Sequence, residues 1–460
     1  MGIAVTMSQD HPKSSADSQC LVRRLTLRDT VSLVAGSVIG VGIFLMPNQV
    51  ANLVPVPSMM LAIWAAAGIV SMFGALAIAE LGSQYPQAGG LYVYLREAYG
   101  RPVAFLYGWS LLVAIQTGNT ASLAAAIPIY LGYMIPLGEF AAKLTGIAAI
   151  AVLTAANCMG IRRGALVQNV LTIIKIATLG LMTMVLLISR RPPLNTVAPV
   201  ENDWTWVSLG LACVAVLYAY ECWHLVTFAA GEVARPEKNI PRGLIIGMTL
   251  VIVLYLAANA GYLRILSVHE IQSHPYVAAS SLEAIMGAAA GSVVSAMILF
   301  SLLGAMNGLI LSGPRVYYAM ARDGVFFERF GEVSPRYQVP IHAIILQGIL
   351  AAILTLIGSF AQLVGYAISS AWIFYALAVV GVWKVRRCRS QRPAFLCPAY
   401  PLLGCIFVAF AGYIVLSQVA RQPRQSVFAG GLILMGLPLY WLWSRGKRAK
   451  AAKVHADIGE

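Results

Sequence analysis

What the chain lacks is charge. Only 11% of its 460 residues are Asp, Glu, Lys or Arg, where a soluble globular domain carries about 25%. Hydrophobic residues fill the deficit at 59%, against about 45–50% in soluble domains, and mean hydropathy is +0.77. That excludes a disordered protein, a coiled coil, a disulfide-stapled secreted domain and an ordinary soluble enzyme. Catalytic motifs are missing too: there is no HExxH, GxSxG or P-loop. Of His11, His224, His269, His274, His342 and His455, only His224 lies well inside an apolar run. The seven cysteines follow no metal-ligand or disulfide spacing. Cys213, Cys222 and Cys405 fall in apolar runs, Cys158 near the end of one, and Cys20, Cys388 and Cys397 in basic segments. They read as small packing residues with inert thiols. No enzyme activity, cofactor or metal is expected.

What the chain has instead is long apolar runs. A helix needs roughly 20 apolar residues to cross about 30 Å of hydrocarbon, and twelve stretches qualify: 29–52, 59–82, 102–131, 143–160, 165–189, 206–230, 242–265, 286–312, 340–358, 361–383, 400–419 and 426–444. The expected fold class is an all-α polytopic membrane protein. Residues 1–24 read as a disordered tail rather than a signal peptide, because the first apolar run starts late and is too long for an h-region. Residues 25–445 form the membrane domain and 446–460 a second tail. The formal charge of +14 does not indicate nucleic acid, because the basic residues sit in short clusters between apolar runs. Alternate inter-run segments hold 25 Lys and Arg against 6 on the other side, with Lys175 inside a run. By the positive-inside rule, both termini face the cytoplasm.

Polar chemistry enters the apolar runs at three places. Gly36, Gly40 and Gly42 weaken the first run near its middle, where lipid penalises exposed backbone most. Gly36 and Gly40 have the spacing of a close helix–helix contact. Alternatively the helix breaks there, and the freed N–H groups of residues 40–42 face a cavity at a half-helix N-terminus, able to bind a carboxylate. Lys175 is about 18 Å from one end of its run and about 22 Å from the other at 1.5 Å per residue, beyond the reach of snorkelling. Its ammonium is expected in the protein interior on carbonyls or hydroxyls, since mid-membrane lysine costs at least about 2.5–3.5 kcal/mol without partners. A fixed cation there substitutes for a bound sodium ion. Glu221, in Tyr218-Ala-Tyr-Glu-Cys-Trp223, is also near mid-run. It pairs with Lys175, binds a cationic substrate group, couples protons, or lines a wet path. Glu80 and Glu232 close their runs beside basic loops and read as ordinary loop ion pairs. Ser301 and Asn307 are weaker signals, since hydroxyls inside spans usually bond their own helix.

These residues resemble a known family. Gly40-Val-Gly42-Ile-Phe44 is similar to the first-span signature of the amino acid–polyamine–organocation (APC) superfamily. Tyr85 to Gly100 resembles that family's first cytoplasmic loop, and Gly164 to Gln168 followed by Lys175 resembles span 5 of its L-type amino acid transporter branch. Gly231 to Pro241 and Met306 to Gly324 fit as well, in the right order. The resemblance implies a LeuT-type fold, with residues 29–189 and 206–383 as inverted repeats and 400–444 as accessory helices. It places a substrate at breaks in spans 1 and 6: carboxylate on the N–H groups of Gly40, Val41 and Gly42, ammonium on carbonyls near Val38, Ile39, Tyr218 and Ala219, with Tyr218 as aromatic gate. It implies that Lys175 replaces a sodium ion and tethers span 5 to spans 1 and 8, Ser301 being the span-8 partner.

Two departures stand out. Val41 replaces a frequent serine, and Glu221-Cys222 replaces a frequent Gly-Gly, which makes a cationic substrate plausible. Residues 132–142 contain no cysteine, so no disulfide-linked heavy subunit is implied. The expected function is sodium-independent amino acid transport by exchange in the plasma or inner membrane. The rivals are a proton-coupled symporter, a carrier of cationic amino acids or amines, and a non-transporting sensor. Expected partners are the amino acid substrate and the bilayer.

Overall fold

A computed structural model of the chain describes residues 23–135, 137–189, 204–358, 360–388 and 393–443; most of both expected tails, with Cys20, lies outside them. The first apolar run forms two helices, α1 (Leu27–Val38) and α2 (Gly42–Leu53). α3 (Pro57–Gln84) is unbroken, and α4 (Leu91–Tyr99) is a short helix in the loop beyond it. α5 (Arg101–Ser110) and α6 (Gln116–Met134) are joined by a π-helical turn, Leu111–Ile115. α7 (Glu139–Cys158) and α8 (Ile161–Ile188) follow. The 206–230 run forms α9 (Trp206–Ala219), the single turn α10 (Leu225–Phe228) and a 3-10 turn, Ala230–Glu232. After it come α11 (Pro236–Ile265), α12 (Val268–Ser273), α13 (Val277–Met286), α14 (Ala288–Ser312) and α15 (Pro314–Arg322). The chain closes with α16 (Ile341–Ile357), α17 (Phe360–Cys388), α18 (Leu402–Arg421) and α19 (Pro423–Leu434). No strand occurs among the described residues.

Among the described residues, eight helical segments are long and apolar enough to cross a membrane, α1 with α2 counting as one. Trp206–Ala219 is too short to qualify alone because the run is interrupted, not because it turns polar. Large apolar side chains such as Leu166, Ile173, Val253, Ile357 and Leu442 are exposed on the outside of the bundle. In water such a surface would drive aggregation, and in a bilayer it is the lipid-facing surface. The chain is a multi-pass membrane protein.

The two interrupted segments lie antiparallel. Leu25, just before α1, forms an isolated parallel bridge with Val233, just after the 3-10 turn: Leu25 N–H donates to Glu232 O at 2.8 Å and Ala234 N–H to Leu25 O at 2.8 Å. α1 therefore packs against α10, and α2 against α9. The start of α1 is fixed by a capping box, in which Asp29 N–H donates to Thr26 Oγ1 and Thr26 N–H to Asp29 Oδ2.

Ion pairs hold other helix ends, and they correct one expectation. Glu80 and Glu232 are not ordinary loop pairs. Glu80 accepts from Arg386 Nη2 at 2.6 Å and Nε at 2.7 Å, and from Cys397 N–H at 2.7 Å, while wholly buried. Glu232 meets Arg315 at 2.8 Å with both side chains at most 1% exposed. A third pair, Arg96 with Asp323 at 2.7 Å, is partly exposed, and Tyr92 also donates to Asp323. The 3-10 turn Ala230–Glu232 and the ends of α3, α4, α15 and α17 are thus held by ion pairs. Cys397 fits the inert-thiol reading: burial, and then the Glu80 carboxylate, push its pKa up to about 11.

Candidate functional site

The first break follows from its glycines. α1 stops at Val38 and α2 starts at Gly42, so the last carbonyls of α1 and the first N–H groups of α2 have no partner within their own helices. Lys175, 1% exposed on α8, reaches into this break. Its ammonium donates to Gly36 O and, at 2.6 Å, to Ile39 O. A cation on the terminal carbonyls of a helix is favoured by the helix dipole as well as by the hydrogen bonds. Gly36 answers the sequence-based alternative in part: a Cβ there would lie 1.9 Å from Thr172 Oγ1, so Gly36 is a close contact with α8 while Gly40 lies in the break itself.

Two expectations change here. Lys175 does not pair with Glu221, because its bonds go to the two carbonyls. Ser301 does not bond Lys175 either; its Oγ donates to Ile39 O at 3.4 Å, so the two side chains converge on one acceptor.

The second break, between Ala219 and Leu225, has no glycine. It is made by Cys222 at φ 75°, a left-handed conformation uncommon for a residue with a Cβ. Glu221, 4% exposed, projects from it. Tyr375 of α17 donates its hydroxyl proton to Glu221 Oε1 and lies 3.3 Å from His224 Nε2. The other carboxylate oxygen, Oε2, has no hydrogen-bond partner among the described residues.

Between the breaks is a cavity of about 20 Å³ lined by Ser37, Val38, Gly40, Val41, Gly42, Asn119, Leu123, Tyr218, Glu221, Cys222, Ala305 and Leu309. Six of the eight expected contact residues line it. Ile39 and Ala219 do not. Ile39 O is occupied by Lys175 and Ser301, which corrects its expected role. Tyr255 of α11 sits behind the cavity with its hydroxyl 3.0 Å from Val38 O and 3.2 Å from Ala219 O. With one proton it donates to one of them at a time, linking the carbonyl ends of α1 and α9. Tyr218 shares a 2.9 Å hydroxyl–hydroxyl bond with Ser122.

The cavity's unmet hydrogen-bonding groups divide by type. Among its donors are the N–H groups of Val41 and Gly42, which donate to no backbone carbonyl among the described residues, whereas Gly40 N–H is turned to the Tyr255 hydroxyl. Among its acceptors, Asn119 Oδ1 and Glu221 Oε2 are buried without a hydrogen-bond partner among the described residues, as is the Ser37 hydroxyl. Buried polar atoms are rarely left this way unless something else satisfies them. The arrangement suits a small zwitterion, with its anionic end at the N-terminus of α2 and its cationic end at the acceptors. The sequence did not reveal Ser37, Asn119, Tyr255 or Tyr375, because a single polar or aromatic residue in an apolar run carries no signal of what it faces.

Backbone packing sets the cavity's width. A Cβ on Gly42 would lie 2.4 Å from Ala219 Cα and 2.6 Å from its Cβ, and a backbone atom cannot swing away. Gly42→Ala is expected to force α2 from α9 and destabilise the fold by about 1–3 kcal/mol, the usual cost of overpacking. Thermal melting in detergent would show this, and an unchanged melting temperature would contradict the packing argument.

Comparison with known proteins gives a consistent picture. A family described as amino acid permease matches residues 25–439. The serine/threonine exchanger of Bacillus subtilis (strain 168) is 31% identical over 425 residues, covering 92% of this chain and 97% of the relative. The human b(0,+)-type amino acid transporter 1 is 28% identical over 98% of this chain and 93% of its own. The human cystine/glutamate transporter is 29% identical over 92% and 85%.

Proposed function

The chain belongs to the amino acid permease family, whose members are transporters rather than enzymes, and on that premise we propose that it exchanges α-amino acids across the cell membrane without sodium. The observation that carries this reading is that one cavity is lined both by the N-terminus of α2, with the free N–H groups of Val41 and Gly42, and by the acceptor side chains Asn119 and Glu221. Such a site recognises the carboxylate and ammonium shared by all α-amino acids. Sodium independence is supported by Lys175, which supplies a fixed cation at the carbonyl end of α1. Exchange is supported by the Bacillus relative, an exchanger by name.

The same reading takes the helices as twelve spans in a LeuT-type fold, repeats at 29–189 and 206–383, accessory helices at 400–444 and both termini cytoplasmic. The plasma or inner membrane is its place, and no disulfide-linked heavy subunit is required. At about 20 Å³ the cavity has room for about one water, so admitting an amino acid requires the half-helices to move. That movement, opening the cavity to one side at a time, is the alternating-access step.

The test is uptake of labelled amino acids into proteoliposomes without sodium at symmetrical pH, empty or preloaded with unlabelled amino acids. Uptake confined to preloaded vesicles is expected. Equal uptake into empty vesicles would reject obligate exchange, and an imposed pH gradient would then separate facilitated diffusion from proton coupling.

A second reading rests on Glu221, a buried carboxylate among the residues lining the cavity, which suits a cationic side chain. If it binds one, Glu221→Gln raises the KM for lysine or arginine while sparing neutral substrates. Loss of a charge-assisted hydrogen bond costs about 1.5–3 kcal/mol, which corresponds to about 10–100-fold. An equal effect on both classes would assign Glu221 to the shared ammonium instead.

A further inference from the structure

A second concave feature lies away from the transport cavity, on the flank of the bundle. Between α17 and α18 runs a groove of about 440 Å³ whose lining is almost wholly apolar, including Val379, Val380, Trp383, Tyr400, Gly404 and Val408. Its shape is fixed. The Tyr400 hydroxyl is inserted into the α17 hydrogen-bond ladder, accepting from Trp383 N–H at 3.1 Å and donating to Val379 O at 2.9 Å. Gly404 leaves the space beside that ring clear, since a Cβ there would lie 2.8 Å from Tyr400 Cε2.

The turn of α17 that follows the groove-lining Trp383 is cationic. Arg387, exposed at the end of α17, stacks its guanidinium 3.6 Å from the Trp383 ring centroid. Lys384, also exposed, sits over the Tyr99 ring at 4.9 Å. Neither meets a carboxylate among the described residues, whereas Arg386 between them is neutralised by Glu80. The sequence holds no Asp or Glu from Lys384 to Ala456. Tryptophan marks the headgroup depth of a bilayer, and a guanidinium matches a phosphate bidentately. An apolar trough with an interfacial tryptophan followed along α17 by two cations has the polarity of a lipid: tail below, negative headgroup above.

We propose that the α17–α18 groove binds an anionic phospholipid, one acyl chain in the trough and the phosphate at Arg387 and Lys384. Charge argues against a second copy of the chain as occupant. A two-fold contact through this face would bring each protomer's cations toward the same two on its partner. A zwitterionic phospholipid offers the same phosphate but brings its own ammonium beside the two cations, so it adds no net negative charge to the site. No residue lining the groove lines the transport cavity, so the proposal stands or falls independently of the transport reading.

Native mass spectrometry of the full chain with equal phosphatidylglycerol and phosphatidylethanolamine tests it. The wild type is expected to retain phosphatidylglycerol preferentially, by about tenfold or more if each basic residue adds about 1 kcal/mol. K384Q/R387Q should erase the preference, and R387E should reverse it; both positions are exposed, so the fold is not at risk. Gly404→Leu, which fills the trough, should lower retention of both lipids. Inorganic phosphate at millimolar concentration should not displace the bound lipid. Equal retention of the two lipids by the wild type, a preference untouched by K384Q/R387Q, displacement by inorganic phosphate, or a two-chain species that added lipid does not dissociate would each overturn the proposal.

Discussion

Lys175→Ala is expected to reduce transport at least 100-fold while the protein is still made and folded. Lys175 spans from α8 to the end of α1, where its ammonium satisfies Gly36 O and Ile39 O. Removing it takes the donor from Gly36 O, at about 1–3 kcal/mol, leaves Ile39 O with only the long Ser301 contact, and removes the cation that offsets the negative end of α1. The lost energy falls on the break itself. α1 and α2 must hold their relative angle for the N–H groups of Val41 and Gly42 to meet a carboxylate, and α1 must also move for the cavity to open. The rest of the bundle keeps its packing, because α8 and α1 also touch through Gly36 and Thr172 and through Thr172 Oγ1 to Ser32 O. Lys175→Met is the stricter variant, since it keeps most of the volume and loses the charge and its two hydrogen bonds. Proteoliposome exchange, normalised to monodisperse protein and to melting temperature, is the measurement. Normal exchange by either variant would remove Lys175 from the mechanism.

That residue was legible in the sequence for a simple reason. A lysine too deep to snorkel must have partners, and the sequence needs no fold to say so. The first break was legible for a similar reason, because three glycines within seven residues cannot be neutral in a membrane helix. The second break was invisible locally: its pivot is Cys222 at φ 75°, a conformation the surrounding packing imposes. Tyr255 and Tyr375 were invisible for a different reason. Each is one aromatic residue in an apolar helix, and its meaning comes from carbonyl or carboxylate groups brought to it from 36 to 217 residues away. Glu80 and Glu232 were seen but misjudged. Their partners Arg386 and Arg315 lie 306 and 83 residues further on, so nothing near them in sequence could show that the pairs are sealed from water. Helix existence and the polar residues that cannot be placated locally are written in the sequence; which polar residues meet is a property of the assembled bundle.

The Glu232–Arg315 pair carries the second large effect. Glu232→Ala is expected to destabilise the protein by about 3–5 kcal/mol, because removing one partner strands a charge that is buried and already desolvated. Arg315 cannot relieve this by moving to solvent. Its side chain is wholly buried, and its Nη1 also donates to Leu311 O on α14. The damage would spread to the neighbouring backbone, since Glu232 O accepts from both Arg24 and Leu25 and so holds the start of α1 against the end of the second broken segment. A double substitution distinguishes pairing from position. Glu232→Met with Arg315→Met removes both charges and keeps apolar bulk, and such replacements are often neutral or stabilising. The double variant should therefore melt well above Glu232→Ala. Arg96→Gln is the internal control. Its partner Asp323 and Arg96 itself are 19% and 21% exposed, so water screens the loss and the cost should stay near the about 0–1 kcal/mol typical of surface pairs. If the double variant melts as low as the single one, the stability of this contact comes from the shape of residues 232 and 315 and not from their opposite charges.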